Sequence, residues 1–338
     1  MSLSNPIAAP RYDVADRPRL RLADILLRWE SILVLLLIGV IIVNSSISPY
    51  FLDFYNLSDA TFNFSEKAIL ALAMAFLIIV RDIDLSIAAI IALASLAMGL
   101  AAKIGAPTPA LIALGLGVGV LCGAFNGLLV TWFALPSIVV TIGTMSLFRG
   151  IAQVVLGDQA LTTYPAGFQA IGQGYISERL PIPISFVLFL ALSAVFAVVL
   201  HRTTFGRRLY AIGCNPTAAL FSGIPVNRIR FSLFVLMGLL AGLAAVLLTG
   251  RIGSTRPNIA LGFELEVVTM VVLGGVSISG GAGGIAGVVL AVFVLGLTTF
   301  GLSLINVPGI VISILNGGLL ILSIAVPALA ARWLRRRN

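Results

Sequence analysis

Apolar segments recur along almost the whole chain, and short polar or Pro- and Gly-bearing joints separate them. Many of these segments reach about 18 residues, the length that an α-helix needs to cross a hydrocarbon core of about 30 Å. The pattern predicts ten membrane spans, at residues 31–48, 66–80, 86–102, 108–131, 137–156, 184–200, 230–250, 264–278, 284–304 and 309–330. We therefore expect an all-α, polytopic integral membrane protein with about ten transmembrane helices.

The composition supports this fold class and excludes a soluble one. Of the 338 residues, 59% are hydrophobic and only 10% are charged, whereas about a quarter of a typical soluble domain is charged. A soluble protein of this length needs a charged coat to remain in water. This chain has too little charge to provide one.

The distribution of basic residues predicts the orientation of the spans. An even number of spans places both termini on one side of the membrane. If that side is the cytoplasm, fifteen of the 21 lysines and arginines lie in cytoplasmic segments, as the positive-inside rule requires. The predicted organisation is a cytoplasmic N-terminal segment at 1–30, a transmembrane domain at 31–331 and a basic cytoplasmic tail at 332–338.

The net charge of +8 does not indicate a nucleic-acid partner, because no aromatic side chains alternate with the arginines as a base-stacking surface requires. The single histidine, His201, has no carboxylate near it in sequence to orient it for catalysis. A phosphate-binding loop needs a lysine after glycine, but Lys67 follows Glu66 and Lys103 follows Ala102. We therefore expect no catalytic residue, no metal site and no cofactor in this chain.

Polar residues near or within the spans are candidates for a translocation pathway, because a charged group at the bilayer centre costs about 2.5–3.5 kcal/mol. The candidates are Asp84, Ser86, Asn126, Thr141, Thr144, Glu264 and Glu266. Structural roles remain open for several of them. Asp84 and Ser86 could cap the third span, and Asn126 could form a bond between helices. Glu264 and Glu266 could interact with the positive end of the eighth span.

Several segments resemble the permease subunits of ribose-type sugar importers of the ATP-binding cassette (ABC) superfamily. They lie in family order between about 50 and 330, at residues 83–86, 123–130, 135–145, 149–150, 205–215, 218–219, 222–224, 264–266, 271–277 and 280–281. Within this family, residues 50–61 and 253–257 resemble L-rhamnose permeases most, with autoinducer-2 and ribose permeases as alternatives. Arg81 and Asp82 depart from the family pattern, which has a glycine-bearing pair at these positions.

The resemblance implies a subunit that moves a monosaccharide into the cytoplasm across a bacterial inner membrane. Its implied partners are a cytoplasmic ABC ATPase, a periplasmic sugar-binding protein, a second permease subunit and the membrane lipid. ATP would be hydrolysed by the separate ATPase and not by this chain. The alternative from another class is a secondary transporter driven by an ion gradient, which would need a coupling-ion site near the midplane.

The cytoplasmic loop at 201–229 is the only long internal loop between spans, so we expect it to couple the permease to ATP hydrolysis. Asn215 and Pro216 predict the start of a short helix, and Gly223 predicts its left-handed end. The candidate coupling residues are Arg207, Gly213, Asn215, Ala218, Ala219, Ser222 and Gly223. The alternative is a solvated linker whose arginines only set the topology.

Overall fold

The computed structural model describes residues 29–177 and 181–335, and within them the fold is helical. The predicted N-terminal segment lies outside the described residues, apart from 29 and 30, and so do the last three residues of the predicted tail. The described helices are α1 (Trp29–Ile47), α2 (Phe54–Ile79), α3 (Ile87–Lys103), α4 (Thr108–Thr131), α5 (Ser137–Leu156), α6 (Ala166–Gln173), α7 (Ile184–Arg202), α8 (Thr204–Cys214), α9 (Pro216–Phe221), α10 (Val226–Ile252), α11 (Phe263–Leu273), α12 (Ile285–Leu304) and α13 (Gly309–Arg335).

A helix occupies each of the ten predicted spans, which confirms the all-α, polytopic fold. Within the described residues, seven helices are at least 18 residues long and apolar enough to cross a membrane: α1, α2, α4, α5, α7, α10 and α12. Of the others, α3 has 17 residues, and the described apolar part of α13 covers Gly309–Leu322. The count of ten spans is therefore approximate.

Two predicted span boundaries are wrong. The second helix begins at Phe54 rather than 66, because Asp53 caps it and accepts hydrogen bonds from the backbone N–H groups of Tyr55 and Asn56. The eighth helix, α11, ends at Leu273 rather than 278, and Gly275 in the following turn has a φ of 84°. At 11 residues, α11 is about 16 Å long, so it cannot cross the hydrocarbon core alone. The non-helical segment 274–284 connects α11 to α12.

The connections between helices gather at two opposite ends of the molecule. One end holds residues 80–86, 132–136, 203–225 and 274–284, and we call it the inner end, after the predicted orientation. There Arg81 contacts residues 213 and 214, and the backbone N–H of Gly281 donates to the carbonyl of Ile79. The other connections form the outer end, where Leu161 pairs with Thr255 and the Ser58 hydroxyl contacts the Pro181 carbonyl. This alternation agrees with the predicted order of crossings.

Helix α2 lies at the centre of the bundle, and nearly every side chain from Phe62 to Val80 is buried. Helices α4 and α10 pack closely against each other through glycines. A Cβ atom added to Gly242 would lie 2.6 Å from the Gly115 carbonyl oxygen, and one added to Gly119 would lie 2.8 Å from the Gly242 Cα. Glycines at four-residue intervals on both helices let the backbones approach, which stabilises helix pairs in lipid.

Candidate transport site

Three predicted pathway residues form one buried cluster at the inner end, which we call the Asp84 cluster: Asp84, Ser86 and Asn126. One carboxylate oxygen of Asp84 accepts bonds from the Ser86 backbone N–H at 2.9 Å and from the Ser86 hydroxyl at 2.6 Å. The Asn126 amide donates to the Ser86 hydroxyl oxygen at 2.8 Å and lies 3.4 Å from the other Asp84 oxygen. The cluster thus joins the start of α3 to α4.

Helix α5 extends this cluster with two threonines. The hydroxyl of Thr141 donates to the Ser137 carbonyl at 2.9 Å and lies 3.4 Å from the carbonyl of Ile83. Thr144 follows one turn later, with its hydroxyl 3.4 Å from the Thr141 carbonyl. Five of the seven predicted pathway residues therefore lie close together.

All five of these side chains are buried inside the chain in this conformation, including Asp84 and Asn126 at 0% exposure. They therefore do not face an open surface of the single chain. The amide oxygen of Asn126 has no hydrogen-bond partner. The capping alternative is supported in part, because Asp84 accepts the Ser86 backbone N–H, although Ser86 itself makes no side-chain cap bond. Their role in transport stays a prediction.

The remaining two predicted pathway residues, Glu264 and Glu266, lie elsewhere, in the first turn of α11 at the outer end. Glu266 pairs with Lys67 of α2 at 2.5 Å, and the Lys67 ammonium also lies 4.7 Å from the centre of the Phe263 ring. One carboxylate oxygen of Glu264 is buried and has no hydrogen-bond partner. The structure therefore divides the predicted pathway set between the two ends of the molecule.

A cavity of about 580 Å³ opens beside Glu266, and we call it the outer cavity. Its walls come from α2, α10, α11, α12, α13 and the connection 253–262. A second ion pair lies on its α10 side, where Arg251 donates to Glu66 at 2.8 Å and to the Asn63 side chain at 3.2 Å. Sequence analysis missed Lys67 and Arg251 as cavity residues, because their partners lie 199 and 185 residues away.

Arg149 of α5 holds the connection that forms part of the cavity wall. Its guanidinium donates to the carbonyls of Pro257 and Ile259 at 2.7 and 2.8 Å. A charged donor on two carbonyls fixes loop backbone more strongly than neutral bonds do. Arg149, which belongs to the family-like segment 149–150, thus stabilises the connection 253–262 at the outer end.

The predicted short helix of the coupling loop is present as α9. The Asn215 side chain caps it by accepting the Ala218 backbone N–H at 3.0 Å, Pro216 is its first residue, and Gly223 has the predicted positive φ of 82°. Ser222 bonds back to the Ala218 carbonyl. These bonds define a folded element in place of an unstructured linker.

Helix α9 buries one face against the protein and exposes the other. Ala219 is buried against the protein at 4% exposure, whereas Leu220 and Phe221 are 58% and 86% exposed. Arg207 is also exposed, on α8. Bulk at Ala219 would therefore disturb the packing of the loop on its own chain. The exposed apolar surface of α9 is formed by Leu220 and Phe221.

A compact set of contacts joins the coupling loop to the rest of the inner end. The Arg81 guanidinium donates to the carbonyls of Gly213 and Cys214 at 2.6 and 2.8 Å, and Arg81 has a φ of 71°, unusual for a residue with a side chain. The adjacent Asp82 forms a two-pronged ion pair with Arg230 of α10, both bonds being 2.7 Å long. The sequence marked Arg81 as a cytoplasmic basic residue and Arg81 and Asp82 as departures from a family pattern, but it did not predict either of these contacts.

Comparison with known proteins shows the class to which the chain belongs. Residues 56–324 match the family model described as "Branched-chain amino acid transport system / permease component". The autoinducer 2 import system permease protein LsrD of Escherichia coli (strain K12) is 36% identical over 318 residues, which cover 91% of this chain and 96% of that protein. The corresponding protein of Shigella flexneri gives the same values. No solved structure matched the chain.

The chain belongs to this family of transport-system permeases, and the predicted permease class is confirmed. A permease is the membrane-spanning transport subunit, in agreement with the expectation that this chain is not itself an ATPase. The relatives named above are autoinducer 2 permeases. They lend no support to the predicted rhamnose subgroup.

Proposed function

We propose that this chain is the membrane subunit of an ABC importer that brings a small, polyhydroxylated solute into the cytoplasm of a bacterium. The observation that carries the proposal is the 36% identity to an autoinducer 2 import permease over 91% of the chain. The family motifs, which extend from about 50 to 330, support the same class. Autoinducer 2 is the first candidate substrate, and L-rhamnose and ribose are the alternatives.

The proposed partners follow from the two ends of the molecule. At the inner end, the exposed Leu220 and Phe221 of α9 would dock into a cytoplasmic ABC ATPase. At the outer end, a periplasmic binding protein would deliver the solute, and a second permease subunit would complete the membrane complex. An ion-gradient transporter is the competing class. Uptake into vesicles with ATP, with and without an ionophore, separates the two, because only the competing class loses uptake when the gradient collapses.

The orientation is part of the proposal: both termini lie in the cytoplasm of a bacterium with an inner membrane. Basic residues support it, since Arg81 and Arg230 lie at the inner end with the coupling loop. Reporter fusions at 165 and 215 should report the outside and the inside, respectively. The same side for both positions would overturn this topology.

We assign the Asp84 cluster a role in the transport cycle, because burying a carboxylate and an amide is costly for a helix contact that apolar residues could provide. Asn126→Leu should lower uptake while the complex still assembles. The matched control is Asn126→Gln, which retains an amide at this position and should keep part of the activity. Normal uptake by an assembled Asn126→Leu variant would leave the cluster with a packing role only.

The substrate is tested by gene deletion. A strain that lacks this gene should lose uptake of one labelled solute among autoinducer 2, L-rhamnose and D-ribose, and the gene on a plasmid should restore it. Loss of autoinducer 2 uptake supports the first candidate. Undiminished uptake of all three would refute the proposed substrate class.

A further inference from the structure

The outer cavity is lined by both aromatic rings and polar groups, unlike a simple packing defect. Phe64, Phe263 and Phe300 contribute aromatic rings, while Asn63, Asn258 and Thr299 contribute polar groups. Its volume of about 580 Å³ lies within the range of about 300–1,000 Å³ for small-molecule sites. Apolar surface with a few convergent polar groups is also the usual lining of such sites.

Four charged side chains around this cavity are paired with one another, and the fifth, Arg256, is exposed in the connection 253–262. Lys67 pairs with Glu266, and Arg251 pairs with Glu66. A ligand with a net charge would have to compete with these pairs or add an unpaired charge, and an unpaired charge in a partly buried site is costly. A neutral ligand can instead use the remaining donors and acceptors of the paired groups. The electrostatics therefore favour a neutral polar molecule.

Hydrogen-bonding capacity remains unused in the cavity wall. Ser254 is 6% exposed, and its buried hydroxyl has no hydrogen-bond partner. Buried polar atoms of this kind are rare in folded proteins, and each calls for an explanation. This hydroxyl is shielded from solvent in the present rotamer, so a polyhydroxylated molecule would supply the missing partner once the Ser254 side chain turns towards the cavity.

We infer that the outer cavity is a binding site for one neutral monosaccharide-like polyol within a single permease chain. In this site the phenylalanine rings pack against the carbon skeleton, and Asn63, Asn258, Thr299 and Ser254 hydrogen-bond to hydroxyl groups. The inference rests on the proposed function for its choice of solute. It adds that the chain itself holds the solute, at the outer end and away from the Asp84 cluster.

Protection of an introduced cysteine tests this inference without transport. Thr299→Cys places a thiol in the cavity wall, and spheroplasts without periplasmic binding protein are labelled from outside with a membrane-impermeant maleimide. The wild-type chain reports the background, because Cys122 is buried and Cys214 is at the inner end. Gln159→Cys, exposed on the outer connection but outside the cavity lining, is the matched control. If Thr299→Cys does not assemble, Asn258→Cys replaces it.

Labelling is measured with autoinducer 2, L-rhamnose or D-ribose, each against a salt solution of equal osmolality. At a concentration that half-saturates the site, the labelling rate of Thr299→Cys should fall about twofold, whereas that of Gln159→Cys should not change. If none of the three slows labelling at Thr299→Cys, or both positions are slowed equally, the inference is wrong. This result stands apart from the deletion experiment, because binding needs no turnover: uptake without protection overturns the cavity site and leaves the proposed function intact.

Discussion

The inner and outer ends of this permease are built in different ways. At the inner end, Arg81, Gly213 and Gly281 bring three connections into direct backbone contact, and the adjacent carboxylate of Asp82 is only 2% exposed. At the outer end, charged side chains hold helices around a cavity of about 580 Å³, and the carboxylate of Glu266 is 25% exposed. One end is closed by close-packed backbone, while the other contains space.

Under the proposed importer function, this difference predicts which contacts change during transport. A carrier that alternates between two access states needs contacts that can break at the closed end and walls that can move at the other. The coupling loop is part of the closed end, since Arg81 bonds to the carbonyls that immediately precede α9. Movement of α9 would therefore pull directly on the α2–α3 connection, which leads to the Asp84 cluster.

The largest effect is expected at the inner ion pair. Asp82→Ala leaves the Arg230 guanidinium without its two-pronged partner in a site where the carboxylate is buried, and should destabilise the fold by about 3 kcal/mol. Thermal unfolding of the purified chain in detergent measures this loss. The double variant with Arg230→Ala should lose little more than the single one. A single variant as stable as the wild type would show that the closed end does not depend on this pair.

The next effect concerns the partner surface of α9. Phe221→Glu places a charge on an exposed side chain, so the fold should be unchanged, but the proposed apolar contact with an ATPase would be lost. Uptake should fall by about thirtyfold, the effect of removing one aromatic anchor of an interface. Phe221→Leu is the control and should retain most uptake. Co-purification of the ATPase with Phe221→Glu at the wild-type level would place the contact elsewhere.

A smaller loss of stability is expected at the Lys67–Glu266 pair of the outer end, since these side chains are 14% and 25% exposed. Glu266→Gln removes the charge that pairs with Lys67 and should cost about 1 kcal/mol of stability. The stabilities of the variant and the wild type are compared by unfolding at increasing salt concentration. Salt screens exposed charges, so the difference in stability between the two proteins should become smaller. A cost as large as that of Asp82→Ala would abolish the distinction between the two ends.

The sequence predicted the local features of both ends and missed the long-range ones. The recurrence and length of the apolar segments located ten helices. Asn215, Pro216 and Gly223 located α9, because a cap, a fixed φ and a left-handed glycine act within a few residues. The end of α11 was placed too late because Val276 and Ile278 continue the apolar run. The turn at 274–275 interrupts the helix before them.

The candidate site was harder to predict for a physical reason. The grouping of Asp84 with Asn126 depends on how α3 packs on α4, and the Lys67–Glu266 pair depends on how α2 packs on α11. Residue type alone marked Asp84, Asn126 and Glu266 as costly in a membrane, but it could not tell which of them share a site. Lys67 was considered only as a missing phosphate-loop lysine.

The smallest effect is expected for Asp53→Ala, at the outer end but away from the cavity. Asp53 caps α2 by accepting the backbone N–H groups of Tyr55 and Asn56 at 3.0 and 3.1 Å. Loss of an exposed cap such as this one costs about 0.5 kcal/mol, the low end of the usual range. The cavity residues of α2 begin more than two turns later, at Asn63. The unfolding temperature should therefore fall slightly and uptake should remain within about twofold of the wild type. Asp53→Asn keeps a capping oxygen and should restore the stability. A strong loss of uptake in Asp53→Ala with stability unchanged would mean that the start of α2 takes part in transport, and that the outer end acts as one unit rather than as a cavity with separate supports.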